Sequence, residues 1–190
     1  MHIRGQSNVL AGLGGPHWGL LPAVFVLPLL VGSTGFKPGL VFLWLALVMM
    51  SYDLASRRIP NALTALAALT GLALALASGG MAGLGRSLLA GGLVFGLMAV
   101  FFFLGAVGAG DVKALGALST FLAPWGALEF CLATTLAGGL LALLRLALAR
   151  RGLRLVAAPG VLGLMAGGLE LPYGLAIAAG AAWCAAAGVL

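Results

Sequence analysis

Two aspartates are the side chains of this sequence best suited to chemistry. Asp53 ends a long apolar run, Asp111 follows the glycine pair Gly108 and Gly110, and together they are half of the chain's four acidic residues. Two carboxyl groups that share a site cannot both ionise easily, so one keeps its proton while the other stays charged. The charged group can take a proton from water while the protonated group donates to a substrate carbonyl. The pair therefore predicts aspartic-protease chemistry.

Each aspartate also has a simpler interpretation. Asp53 stands four residues before Arg57, a spacing at which opposite charges pair on a helix. Asp111 stands where a side-chain oxygen often caps the first turn of a helix. An ionisable residue at the edge of an apolar segment is a functional candidate, however, and two such residues favour the joint interpretation.

Helix breaks adjoin both aspartates. The sequence "RRIPN" at 57–61 predicts a tight turn into a new helix, because Pro60 fits the first turn of a helix and restricts the residue before it. Gly108 and Gly110 predict the end of a helix and let another backbone approach closely. Lys113 supplies a cation near Asp111.

Other catalytic groups are scarce in the sequence. The two histidines, His2 and His17, lie near the N-terminus, and Cys131 and Cys184 stand far apart without a C-x-x-C pair. This spacing argues against a zinc site or a disulfide framework. We therefore predict no metal and no cofactor.

The composition is that of an integral membrane protein. The chain is 63% hydrophobic and 7% charged, with a mean hydropathy of +1.19. A soluble domain of this length needs far more polar surface. Small residues let membrane helices pack closely, and Gly92 and Gly96 have the spacing of such a contact.

Seven apolar segments are candidates for crossing the bilayer, whose core about 20 helical residues span. They are 18–33, 39–56, 62–78, 86–107, 112–123, 126–148 and 173–190. The stretch 157–172 is rich in Gly and Pro and is predicted to be a loop or re-entrant segment. The predicted fold is an all-α, polytopic transmembrane helix bundle. Residues 1–38 form a tail and an extra membrane segment, and residues 39–190 form a six-helix core.

The positive charges predict the orientation of this bundle. With the N-terminus in the cytoplasm, eight basic residues fall on the cytoplasmic side and only Lys37 and Arg86 on the outer side. The eight are Arg4, Arg57, Arg58, Lys113, Arg145, Arg150, Arg151 and Arg154. The same topology puts Asp53 and Asp111 together at the cytoplasmic face. We accordingly interpret the net charge of +6 as a topology signal and predict no nucleic-acid partner.

Three motifs resemble the type IV prepilin peptidases, the GxGD-type aspartic proteases of bacterial membranes. They are "D-x-x-x-x-x-I-P-N" at 53–61, "G-x-G-D-x-K" at 108–113 and "LPYGLAIAAG" at 171–180. The matches follow the family's order and extend over most of the chain. The chain is most similar to the short, peptidase-only branch, which includes enzymes of tight-adherence (Flp) pilus systems.

This resemblance implies that Asp53 and Asp111 are the catalytic pair. It implies an endopeptidase of the bacterial inner membrane that removes short basic leaders from prepilin-like proteins at the cytoplasmic face. The expected partners are prepilin-like substrates with an apolar N-terminal helix, and membrane lipids. The residues expected to bind substrate or support the site are Gly108, Gly110, Lys113, Pro60, Asn61 and Tyr173.

The chain also departs from the larger members of that family. Those members carry a cytoplasmic insert with paired C-x-x-C motifs and methylate the new N-terminus; this chain has neither, which argues against methylation. Three alternatives stay open. In the first, the chain is a small transporter or channel and the acids form a proton relay. In the second, it is a non-catalytic component of a pilus or secretion machine. In the third, it is a presenilin-like protease, although the sequence "RIPN" argues against this.

Two further acids have structural interpretations. Glu129 is predicted to lie near the outer end of the sixth segment, at the level of Arg86, and to pair with it. Glu170 is predicted to be a solvated loop acid.

Overall fold

The computed structural model describes residues 38–56, 58–150 and 173–189, which form five helices and no strands. The helices are α1 (Pro38–Ser56), α2 (Asn61–Phe103), α3 (Ala109–Ser119), α4 (Pro124–Arg150) and α5 (Tyr173–Ala186). This arrangement confirms the prediction of an all-α fold. The predicted N-terminal segment 18–33, the stretch 157–172, Arg57 and Glu170 lie outside the described residues.

The helix starts follow the predicted turns. Pro60 is the extended N-cap residue of α2, with φ −60° and ψ 134°. Gly108 is the corresponding residue before α3, with φ −74° and ψ 148°. Both positions match the sequence prediction that "RIPN" and the glycine pair separate helices.

Helix α2 reverses direction at Gly80, whose φ of 58° and ψ of −149° lie outside the helical region. Gly71 and Gly91 both lie against the side chain of Thr120, although a straight helix would separate them by about 30 Å. The two halves of α2 therefore run side by side in opposite directions. The sequence predicted these halves as separate segments, 62–78 and 86–107. The structure assigns one 43-residue element and does not confirm the six-helix count.

The helices form two packing groups. In the first group, α5 packs against both α1 and α4; in the second, α3 packs along α2. The contact between α2 and α4 is the largest between the groups. The first group closes over Phe42, whose ring meets that of Phe130 edge-on at 5.3 Å. Asp53 belongs to the first group and Asp111 to the second, so the two aspartates approach each other across the boundary.

Glycines on both halves of α2 permit the close approach of α3. A Cβ added at Gly91 would lie 2.7 Å from Thr120 Cγ2 and 3.1 Å from the carbonyl of Gly116. The predicted packing pair Gly92 and Gly96 makes no close contact with the described helices, since no described atom lies within 4 Å of a Cβ added at either. Helix α3 packs on the neighbouring residue Gly91, which has no glycine four residues away.

Two helices are long and apolar enough to span a membrane, namely α2 and the stretch Pro124–Leu144 of α4. Both present large apolar side chains on the surface, including Leu69, Met81, Phe95, Leu132 and Leu136. A surface of this kind fits lipid better than water.

The predicted Arg86–Glu129 pair is wrong. Within the described part of the chain, Arg86 donates through Nε to the carbonyl of Ala82 at 3.4 Å and forms no ion pair with Glu129. Glu129 instead lies near Cys184 of α5. The reversal at Gly80 lies six residues before Arg86, and the spacing of the charged residues did not predict that turn.

Candidate active site

Asp53 lies in the last turn of α1 and is 8% exposed. Its Oδ2 accepts a hydrogen bond of 2.7 Å from the backbone N–H of Gly174, in the first turn of α5. The two residues are 121 positions apart in the chain. A buried carboxylate requires such partners, because burial without hydrogen bonds disfavours the charged form.

Asp111 lies in the first turn of α3, as the sequence predicts. The alternative that it caps this helix is wrong, because the N-cap residue is Gly108 and no side chain caps the helix. The carboxyl group instead lies against Gly108, where an added Cβ would be 2.9 Å from Oδ2. Gly108 thus leaves room for the Asp111 side chain.

The surroundings of Asp111 raise its pKa from 3.8 to about 7. Burial is the largest cause, the nearby Asp53 carboxyl adds to it, and a backbone hydrogen bond from Gly108 opposes both. With its 11 residues, α3 is too short to cross a bilayer. Near neutral pH, Asp111 can therefore hold a proton or release one, as an acid–base catalyst must.

The raised pKa of Asp111 makes folding stability depend on pH. Below about pH 4 the carboxyl is protonated in both the folded and the unfolded chain. Between about pH 4 and 7 the unfolded chain loses a proton that the folded chain keeps, so stability falls as pH rises. We expect Asp111→Asn to flatten this decline and to unfold a few degrees higher than the parent at pH 7 and above.

Thermal unfolding in detergent micelles from pH 4 to 8 measures this effect. The lowest pH of the series is the internal control. There Asp111 is protonated, so the parent and the variant differ only in carrying an –OH or an –NH₂ group on the side-chain carbonyl. An equal pH dependence in both proteins would contradict the assignment of a buried proton to Asp111.

Both carboxyl groups line one cavity of about 1100 Å³. Five of the predicted supporting residues also line it: Asn61, Gly108, Gly110, Lys113 and Tyr173. Pro60 is the exception; it caps α2 next to Asn61 instead of contributing to the wall. The cavity thus collects residues from four separate parts of the chain.

A hydrogen bond joins two of the sequence motifs at this cavity. Lys113 Nζ donates to Asn61 Oδ1 at 3.1 Å, and both side chains are exposed. The bond links the second turn of α3 to the first residue of α2. It accounts for the lysine of "G-x-G-D-x-K" and the asparagine of "RIPN" in structural terms.

The sequence did not predict the wall that α4 contributes. Thr135, Gly138 and Gly139 of α4 line the cavity, and the Thr135 hydroxyl interacts with that of Tyr173. Nothing in the sequence marks these α4 residues, because apolar runs with threonine and glycine recur along the chain. Gly174 had a signal, since it follows Pro172 and Tyr173 in one of the motifs.

The described residues contain no group of three His, Cys, Asp or Glu side chains that could hold a metal ion.

A comparison with protein-family models gives one match. The model of the type IV leader peptidase family matches residues 40–143, over half of the chain and including both aspartates. No curated protein and no solved structure gave a match.

Proposed function

Because this chain belongs to the type IV leader peptidase family, we propose that it is a membrane aspartic endopeptidase acting on prepilin-like proteins. Its substrates carry a short basic leader followed by an apolar helix, and the enzyme cuts between them. The reaction takes place at the cytoplasmic face of the bacterial inner membrane. Asp53 and Asp111 are the catalytic pair.

One observation carries this proposal: the chain has two aspartates, and both line the same cavity close enough to interact electrostatically. Their surroundings differ. Asp53 accepts a backbone N–H bond, which favours a charged carboxylate, whereas burial favours the neutral form of Asp111. The difference supports a division of labour between a base and an acid.

The mechanism follows from that division. Asp53 takes a proton from a water molecule, whose oxygen then forms a bond to the carbonyl carbon of the scissile peptide. Asp111 gives its proton to the carbonyl oxygen, and a tetrahedral intermediate results. When the carbon–nitrogen bond breaks, the proton held by Asp53 passes to the leaving amine and Asp111 recovers a proton from the collapsing hydroxyl.

The walls of the cavity fit an unwound peptide next to an apolar helix. Met98 and Phe101 of α2 and Leu141 of α4 provide an apolar wall. Gly139, where an added Cβ would meet no described atom within 4 Å, adds a point without a side chain, which a substrate backbone can approach closely. A substrate helix entering from the bilayer would contact the apolar part, while its extended end reaches the carboxyl groups.

Co-expression with a candidate prepilin tests the proposal. We expect a shift to lower mass on a gel, with the mature N-terminus identified by mass spectrometry of the product. The matched substrate control is a prepilin that keeps the apolar helix but has its cleavage-site residues in reversed order. Unprocessed prepilins from several pilus systems, with the enzyme present in the membrane, would sink the proposal.

A further inference from the structure

The N-terminus of α5 forms a close, buried contact with the end of α1. The Gly174 N–H points at Asp53 Oδ2 from 2.7 Å. This N–H belongs to the first turn of α5, where backbone donors have no partner within the helix and the helix dipole favours negative charge. The contact therefore stabilises the charged form of Asp53.

Residue 174 must be a glycine for this contact to exist. A Cβ added there would lie 2.8 Å from Asp53 Cβ and 3.0 Å from both Asp53 Oδ2 and Met50 Cα. The Met50 atom belongs to the backbone and cannot rotate away, so a side chain at residue 174 would push α5 off α1 and lengthen the hydrogen bond.

We infer that Gly174 is a positioning residue that keeps Asp53 ionised and so leaves the shared proton on Asp111. The catalytic meaning of this inference rests on the proposed function, but the charge assignment itself does not. The hydrogen bond from the Gly174 backbone N–H thereby makes Asp53 the base of the pair.

Other charged and titratable groups also face this region. They are Tyr52 on α1, Arg58 on the connection to α2, Asp111 and Lys113 on α3, and Tyr173 on α5. In the described part of α4, the residues that line the cavity carry no charge. A measurement must therefore report on Asp53 and Asp111 individually, and not on the pH dependence of the whole protein.

The composition makes this measurement direct. Asp53 and Asp111 are the chain's only aspartates, so protein labelled with ¹³Cγ-aspartate gives two carboxyl signals, assigned with Asp53→Asn and Asp111→Asn. We expect Asp53 to ionise at lower pH than Asp111 in the parent. In Gly174→Ala, the pH at which Asp53 ionises should rise by about one unit or more, a tenfold change in its ionisation equilibrium.

Gly180→Ala is the matched control. Gly180 lies on the same helix and is more crowded, but its neighbours are the Thr134 hydroxyl and the Thr134 backbone of α4 and not α1. We expect this variant to leave the Asp53 titration unchanged. A shift as large as that of Gly174→Ala would assign the effect to general packing of α5 and overturn the inference.

A second measurement needs no variant. Residues 173–174 form the chain's only Tyr-Gly pair, so protein with ¹³C′-tyrosine and ¹⁵N-glycine shows the Gly174 amide alone in a carbonyl-filtered spectrum. Its proton shift should titrate with the Asp53 midpoint. An amide that does not titrate, or that follows Asp111, would overturn the inference.

Leader cleavage separates this inference from the proposed function. If the parent processes prepilins, Gly174→Ala should cut about tenfold more slowly at pH values where Asp53 has lost its charge, and should recover at higher pH. Titrations as expected in a protein that cleaves no prepilin would leave the charge assignment standing and reject the peptidase.

Discussion

We expect Asp111→Asn to abolish leader cleavage and Asp53→Asn to do the same. Each amide keeps the shape of the side chain but can neither take nor release the proton that peptide hydrolysis requires. General acid–base groups contribute about 10²–10⁴-fold to a rate, so we expect the cleavage rate to fall by at least about 10³-fold. Densitometry of processed against unprocessed prepilin over time measures the loss.

The two variants differ in their physical consequences, which makes them controls for each other. Asp111→Asn is expected to be as stable as the parent or more so at neutral pH, so its inactivity cannot be attributed to unfolding. Glu129→Gln removes an acid of α4 that does not line the cavity, and it should cleave at the parental rate. Normal processing by either aspartate variant would reject the catalytic pair.

Gly91→Leu disrupts the second packing group and removes activity through structure. The space needed by its side chain is occupied by Thr120 Cγ2 and the Gly116 carbonyl, so α3 must move away from α2. Overpacking of this kind costs about 1–3 kcal/mol and more where backbone is displaced. We expect an unfolding midpoint lower by about 2–12 °C and, because α3 carries Asp111, a cleavage rate at least about tenfold lower.

Gly92→Leu is the matched control for this prediction. It introduces the same side chain one residue later, at an exposed position where no described atom would meet the new Cβ. Thermal unfolding and prepilin processing of the two variants, compared at equal amounts in membranes, measure the difference. Equal tolerance of both leucines would show that α3 does not depend on the contact at Gly91.

The sequence predicted the local features of the site well, because short motifs carry them. A proline and a glycine pair fix where α2 and α3 begin, and the aspartates stand beside those starts. The apolar runs likewise predict α1, α4 and α5 to within a few residues at most ends. These features depend on residues that are close together in the chain, so composition and spacing can predict them.

Features set by distant contacts were out of reach. Asp53 meets Gly174 only after helix α5 has docked on α1, and no spacing rule connects residues so far apart. That α3 packs on Gly91 and not on Gly92 depends on the rotation of α2, which the spacing of Gly92 and Gly96 does not predict. The failed pairing of Arg86 with Glu129 has the same origin, since a shared depth in the membrane does not bring two side chains together.

The two aspartates belong to different packing groups, and this separation has a consequence for inhibition. A movement of one whole group relative to the other alters the distance between the carboxyl groups, even when the packing inside each group is intact. A small molecule wedged between α2 and α4 would therefore disable the pair without touching an aspartate. Such a ligand would not resemble a peptide and would not compete with one, and its resistance mutations would map to lipid-facing helices instead of the catalytic motifs.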